Sequence, residues 1–229
     1  MFNNKKVLAI ILARGGSKRL PNKNILNLCG KQMIVWSIEA AFGSKYIDNV
    51  IVSSNDSEIL SISKKAGANT ISRPEYLALD TSTSIDAIEH VLLNINDNFG
   101  YTILLQPTSP MRNSSHIDEA INMYEDSNID SIISVTKAEH SPLWSNILPP
   151  DGSMDKFLNK QFINIRSQDL PVYYRLNGAI YICKTEILLK CKTFFLNKNV
   201  YSYIMDNDVS IDIDDEKDFY VAEKLMSKI

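Results

Sequence analysis

Short apolar runs rich in β-branched residues alternate along this chain with stretches whose apolar residues recur at helical spacing. The runs Val7 to Ala13, Asn49 to Ser54, Asn69 to Ser72, Tyr101 to Gln106, Ser131 to Val135 and Ala179 to Cys183 read as buried strands. Met33 to Phe42, Ser57 to Ala66, Ser84 to Ile95, Ser115 to Glu125 and Glu216 to Met226 read as amphipathic helices, with Ile34, Ile38 and Ala41 on one face, for example, and Ile117, Ala120 and Ile121 on another. Strand and helix in alternation predict an α/β fold, a mainly parallel sheet with helices on both faces. The alternation lapses between Lys137 and Tyr174, where Pro142, Pro149, Pro150 and Pro171, with Trp144 and Phe157, indicate an excursion. Such an excursion either serves binding or association or is a plain surface loop. With no repeat, low-complexity tract or linker, residues 1–229 read as a single domain that carries the excursion 137–174.

A strict period-2 alternation returns near the C-terminus in Val209-Ser210-Ile211-Asp212-Ile213-Asp214. On a strand, Val209, Ile211 and Ile213 would face the core and Asp208, Ser210, Asp212 and Asp214 the other side. Carboxylates gathered that closely repel one another and call for a cation. Hard oxygen donors with no histidine nearby point to Mg²⁺ (or Mn²⁺), which takes one or two carboxylates and completes its shell with water and phosphate oxygens. The alternative is the solvated face of an edge strand.

The first strand empties into Ala13-Arg14-Gly15-Gly16-Ser17-Lys18-Arg19-Leu20-Pro21-Asn22-Lys23-Asn24. Glycines let a backbone approach oxygens closely, and Arg14, Lys18, Arg19 and Lys23 would neutralise a polyphosphate. A basic surface turn is the plainer reading, and four cations beside paired glycines at a strand end favour phosphate. Two better-known loops are excluded. The P-loop spacing counted from Gly15 or Gly16 reaches Leu20 or Pro21, and the G-x-G-x-x-G fingerprint meets Ser17 and Leu20 where glycines are required.

Composition narrows the classes further. A net charge of −3 provides no basic field for nucleic acid or a membrane surface, so the local cations imply a local anion. Three cysteines, Cys29, Cys183 and Cys191, without C-x-x-C spacing indicate neither a disulfide framework nor a zinc site, and fit a reducing cytoplasm. Lys5-Lys6 before the first apolar run resembles a signal peptide, but Arg14 and the glycines follow at once and the run reads as a strand. No run approaches the ~20 apolar residues of a membrane span. His90, His116 and His140 fall in no catalytic pairing.

Together the Ala-Arg-Gly-Gly-Ser-Lys loop ending in Lys23-Asn24, Arg73-Pro74-Glu75, Asp80-Thr81-Ser82, Gln106-Pro107-Thr108-Ser109-Pro110-Met111-Arg112, Gln168-Asp169-Leu170-Pro171 and Ser-Ile-Asp-Ile-Asp resemble, in order, the cytidylyltransferases that activate sialic-type sugar acids. The resemblance runs from Leu8 to Leu225. It implies a three-layer α/β/α nucleotidyltransferase (Rossmann-like) fold with a dimerisation excursion. It also implies a cytoplasmic, homodimeric enzyme that joins CTP to a nine-carbon nonulosonic acid and releases pyrophosphate.

By the same resemblance, Arg14, Lys23 and Asp212 are catalytic, and Arg14, Gly15, Gly16, Ser17, Lys23, Asn24, Arg73 and Ser82 hold CTP. Gln106, Arg166, Asn177, Tyr181 and Phe194 line the sugar side, and Asp212 and Asp214 hold the metal. Four of these have a plainer reading as well: Thr83 with Asp86 forms a capping box beside Ser82, Asn177 is a turn residue before Gly178, and Tyr181 with Phe194 is core packing. Many family members carry two adjacent arginines where this chain has Arg166-Ser167. The related enzymes for an eight-carbon ulosonic acid carry Tyr-Gly in place of Gly15-Gly16. A sugar-1-phosphate nucleotidylyltransferase and a catalytically silent nucleotide-binding protein are the other rival readings.

Overall fold

β1 (Val7–Leu12) is buried along all but its last residue, and its alternate side chains divide between the two halves of the core. Val7, Ala9 and Ile11 face one layer of helices, and Leu8 and Ile10 face the other. Each such side chain is worth about 1.5–3 kcal/mol once removed from water. That two-sided burial is what the unbroken apolar run encodes, and it places β1 in the middle of the sheet.

The computed structural model describes residues 1–126 and 128–227. After β1 come the short hairpin β2 (Asn27–Leu28) and β3 (Lys31–Gln32), α1 (Met33–Phe42), β4 (Asn49–Ser54), α2 (Ser57–Lys65), β5 (Asn69–Ser72), α3 (Ser84–Leu93) and β6 (Tyr101–Leu104). The chain continues through α4 (Ser114–Asn122), β7 (Ser131–Lys137), β8 (Tyr174–Lys184), α5 (Thr185–Cys191), β9 (Val200–Met205) and α6 (Glu216–Met226). The large sheet has the order β5-β4-β1-β6-β8-β7-β9. It is parallel except for β8, which runs antiparallel to both β6 and β7. Ile34, Ile38 and Ala41 of α1 and Ile117, Ala120 and Ile121 of α4 cover one face; Ile88 and Val91 of α3 and Leu188 of α5 cover the other. The expected α/β/α layering is present.

The structure corrects several expectations. Residues 209–214 are not a strand. Asn207–Val209 form a 3-10 turn, and the segment beyond it runs irregularly into α6. Its backbone bonds go to the cleft instead of to a ladder: Ile213 N donates to the Thr108 carbonyl, and the Ile213 carbonyl accepts from Lys23. The edge beside β7 is taken by β9, whose mixed pattern gave no clear period. The α5 helix and the β2–β3 hairpin also escaped the pattern, being too short to display one. The excursion leaves β7 at Lys137 and returns into β8 at Tyr174, and those two residues pair across the hairpin. Between them lie only short 3-10 turns, with Ile147, Leu148, Met154 and Ile163 exposed.

Candidate active site

The carboxyl ends of β1, β5 and β6 open onto a cleft, the usual ligand position of an open α/β sheet. The cavity there holds about 550 Å³ and is lined by Arg14, Ser17, Lys23, Asn24, Arg73, Ser82, Gln106 and Asp214 among others. Eight residues proposed from separate stretches of sequence thus meet on one surface.

The loop after β1 is held shut from within. Asn24, itself buried, donates from Nδ2 to the Arg14 carbonyl at 3.0 Å, while its Oδ1 meets no donor. The Gly15 N–H donates to Asn55 Oδ1 at 3.2 Å, and Asn55 in turn donates to Glu75. Gly15 has a steric reason to be glycine: a Cβ there would stand 2.6 Å from Oδ2 of Asp56, whose Oδ1 caps α2. Gly16 has no such neighbour.

Each cation of the loop faces a carboxylate. Arg14 Nη1 and Lys18 Nζ both lie 2.6 Å from Asp80, Arg19 lies 2.9 Å from Asp214, and Lys23 lies 3.2 Å from Asp214. Lys18 and Arg14 hold the Asp80 carboxyl below its ordinary range. Arg73 is buried with Nε unpartnered, and its guanidinium is pushed down first by burial and then by Arg14 beside it. Ser82 Oγ donates to the Tyr76 carbonyl, and Thr83 and Asp86 form the capping box at the start of α3, so that reading of the hydroxyl cluster holds.

Asp212 is an exposed residue outside the lining of the cavity, with protein packed near its carboxyl group. That desolvation, reinforced by Asp214, lifts its carboxyl above the ordinary range, against the opposing effect of the Thr108 hydroxyl and Lys23. The register between β7 and β8 slips between Ile133 and Val135. The slip puts Gly178 at φ +73, where a Cβ would stand 3.3 Å from Gln106 Oε1 and 3.7 Å from Asp212 Oδ2. Gln106, Asp212 and the Gly178 backbone therefore share one corner.

Of the remaining sugar-side residues, Asn177 precedes Gly178 in this corner and Tyr181 lies near enough to Asp212 for its hydroxyl to be pushed up, first by burial and then by that charge. Asn177 is buried, accepts from Ser134 Oγ and the Ala179 N–H, and donates to Ser210 Oγ. It braces the bulge and ties β8 to the segment that carries Asp212. Tyr181 and Phe194 pack against each other in the core with ring centroids 5.6 Å apart, the packing alternative of the sequence reading. Arg166 is exposed in the excursion. Arg175 makes a two-point pair with Glu139 at 3.0 and 2.7 Å and lies near enough to Asp212 to feel its charge. Sequence reasoning missed Asn55, Asp80, Thr108 and Gly178 as site residues. Asp80 and Thr108 stood in the quoted motifs, whereas the Asn55 side chain meets Gly15 from 40 residues away and Gly178 acts through its backbone, and neither gives a local signal.

Comparison with known proteins bears on the family and the fold. A family model described as cytidylyltransferase matches residues 8–226. The N-acylneuraminate cytidylyltransferase of Escherichia coli is 38% identical over 226 residues, covering 97% of this chain and 52% of that protein, so this chain spans about half the length of that relative. The CMP-N,N'-diacetyllegionaminic acid synthase of Legionella pneumophila is 33% identical over 225 residues and is matched over 96% of both chains. Among solved structures, a CMP:2-keto-3-deoxy-manno-octonic acid synthetase complexed with CTP superposes with a TM-score of 0.74 at 16% identity, over 97% of this chain and 99% of that one. At that identity the likeness is one of fold.

Proposed function

Because the chain belongs to the cytidylyltransferase family, we propose that it transfers CMP from CTP to the anomeric hydroxyl of a nine-carbon sialic-type sugar acid, releasing pyrophosphate. The observation that carries this reading is the meeting of the cation loop, Arg73, Ser82 and Gln106 around one cavity, with Asp212 beside Gln106 across Gly178. Triphosphate, base and acceptor each find suitable chemistry there.

Arg14, Lys18 and Lys23 bind the β- and γ-phosphates and stabilise the charge that builds on departing pyrophosphate. Asn24 Oδ1 is a buried acceptor, so its partner is a donor, which a ribose hydroxyl is and a phosphate oxygen is not. Arg73 and Ser82 face the base. Gln106 orients the acceptor so that its hydroxyl oxygen bonds to the α-phosphorus as the bond to pyrophosphate breaks. Asp212, with its raised pKa, suits uptake of the hydroxyl proton.

Asp212 and Asp214 offer hard oxygen donors, and among the described residues no group of three or more His, Cys, Asp or Glu could hold a metal. A two-carboxylate set fits Mg²⁺ (or Mn²⁺), which draws its other ligands from water and phosphate. When bound, the metal supplies Lewis-acid stabilisation of the phosphate oxygens. The apolar residues exposed on the excursion support a homodimer, which sedimentation would detect. All three cysteines are free, which supports a reducing, cytoplasmic location; among the described residues no helix is long and apolar enough to cross a membrane.

The test is pyrophosphate release from CTP and Mg²⁺ with N-acetylneuraminate, legionaminate, pseudaminate and the eight-carbon acid supplied separately. Release with a nine-carbon acid is expected and names the acceptor. Release only with the eight-carbon acid would overturn the substrate assignment, and CTP binding without release from any acid would favour a silent binder.

A further inference from the structure

Arg112 closes the loop that begins at Gln106, and its whole side chain lies inside the protein, only 1% exposed. Among the described residues its guanidinium has a single hydrogen-bond partner. Nη2 donates to Ser37 Oγ of α1 at 2.7 Å, while Nε and Nη1 meet no acceptor. Among the described residues no carboxylate pairs with it. Burial alone pushes the group down to about 9. A buried charge without a counter-ion weakens a fold, and an apolar side chain of similar volume in its place often strengthens it. Residues that break the packing rules in this way concentrate where function needs them.

The one guanidinium bond that Arg112 makes among the described residues has a direction. Because Ser37 Oγ accepts from the guanidinium, its proton is left for the Gln106 carbonyl, 3.4 Å away. The same loop is pinned by Ser109 N to the Gln106 carbonyl and by Arg112 N to the Ser109 carbonyl. It then receives the Asp212 segment, through Ile213 N on the Thr108 carbonyl. Arg112 thus stands at the root of the element that carries Gln106 into the cleft and backs Asp212. It does not line the cavity itself.

We infer that Arg112 is a positioning residue for the transfer reaction, fixing the Gln106 carbonyl through Ser37 and so setting the loop that places Gln106 and Asp212. The inference rests on the cytidylyltransferase reading of the cleft.

Three variants test it: Arg112→Met, Arg112→Lys and Ser37→Ala. Each is measured for melting temperature, for kcat, and for KM toward CTP and the acceptor. Arg112→Met is expected to melt at or above wild type, because an unpaired charge has gone. It should lose at least about tenfold in kcat, as misplaced reacting groups do. KM for CTP should stay within about twofold, since the cation loop is untouched. Arg112→Lys should recover part of the turnover, and Ser37→Ala should lose kcat in the same direction with the guanidinium still in place. A lowered melting temperature with a proportionate loss of activity, or failure of Arg112→Met to fold, would make Arg112 a fold-holding residue and overturn the inference. Full turnover in Ser37→Ala would overturn the relay. If the wild type itself turns over none of the acids, the functional reading fails separately. The crystal structure of Arg112→Met then decides: displacement of Gln106 and Thr108 by about 1 Å or more sustains the positioning role, and an unmoved loop overturns it.

Discussion

Lys23 Nζ lies 2.7 Å from the Ile213 carbonyl, a bond that spans 190 residues and joins the loop after β1 to the acidic segment before α6. The same ammonium reaches Asp214 at 3.2 Å and is itself only 12% exposed. One lysine thus serves the phosphate side of the cleft and orients the carboxylate side. Lys23→Ala is expected to lower kcat/KM by about two orders of magnitude or more, the scale of a lost transition-state charge partner. Steady-state kinetics check this, and a loss below about tenfold would count against the role.

Asp212 should matter for turnover and little for nucleotide affinity. It sits beside Gln106 and Gly178, outside the lining of the cavity that the cation loop faces. Asp212→Ala is expected to abolish most of kcat while calorimetric CTP binding stays near wild type, the signature of an interaction made mainly in the transition state. Unchanged turnover would remove it from the mechanism.

Asp80 occupies two cations, Arg14 and Lys18, that the proposed mechanism assigns to phosphates. A polyphosphate must compete with it. Asp80→Asn is expected to tighten inhibition by pyrophosphate at low salt by up to about fivefold, the worth of an exposed ion pair. The gain should shrink as salt screens the charges. Equal or weaker inhibition in the variant would show that Asp80 does not compete.

The paired glycines are predicted to differ. A methyl group on Gly15 meets Asp56 Oδ2 at 2.6 Å, whereas one on Gly16 meets nothing within 4 Å. Gly15→Ala should cost about 1–3 kcal/mol through overpacking against the cap of α2, and it should raise KM for CTP. Gly16→Ala should melt close to wild type. Thermal denaturation of the two variants side by side settles the contrast.

The Glu139–Arg175 pair predicts an acid-side effect. Arg175 holds the Glu139 carboxyl down to about 2, below its ordinary 4.5. A depressed carboxylate stabilises the fold above the unfolded value, and that contribution is lost as pH falls from about 4.5 toward 2. Both side chains are partly exposed, so the contribution is small. In urea titrations across that window, wild type should lose stability more steeply than Glu139→Gln. Parallel curves would show that the pair contributes nothing.

The sequence by itself determined the layers and the loop. The two-sided apolar run of β1, the helical spacing in α1 and α4, and the cations packed around Gly15 and Gly16 are local patterns, and a local pattern survives reading in one dimension. The capping box at Thr83 was legible for the same reason. The acidic segment was misread because alternation fixes which side chains would face together on a strand, but not whether a partner ladder exists. Here β9 takes the edge, and Lys23 and Thr108 take the backbone bonds of Ile213. Asn177 and Arg112 carry polar side chains whose partners lie 43 and 75 residues away, at Ser134 and Ser37. Only the tertiary structure decided that the first braces a bulge and the second stands buried without a counter-ion. Burial and pairing depend on which distant elements the sheet order brings together, and no window of sequence contains that order.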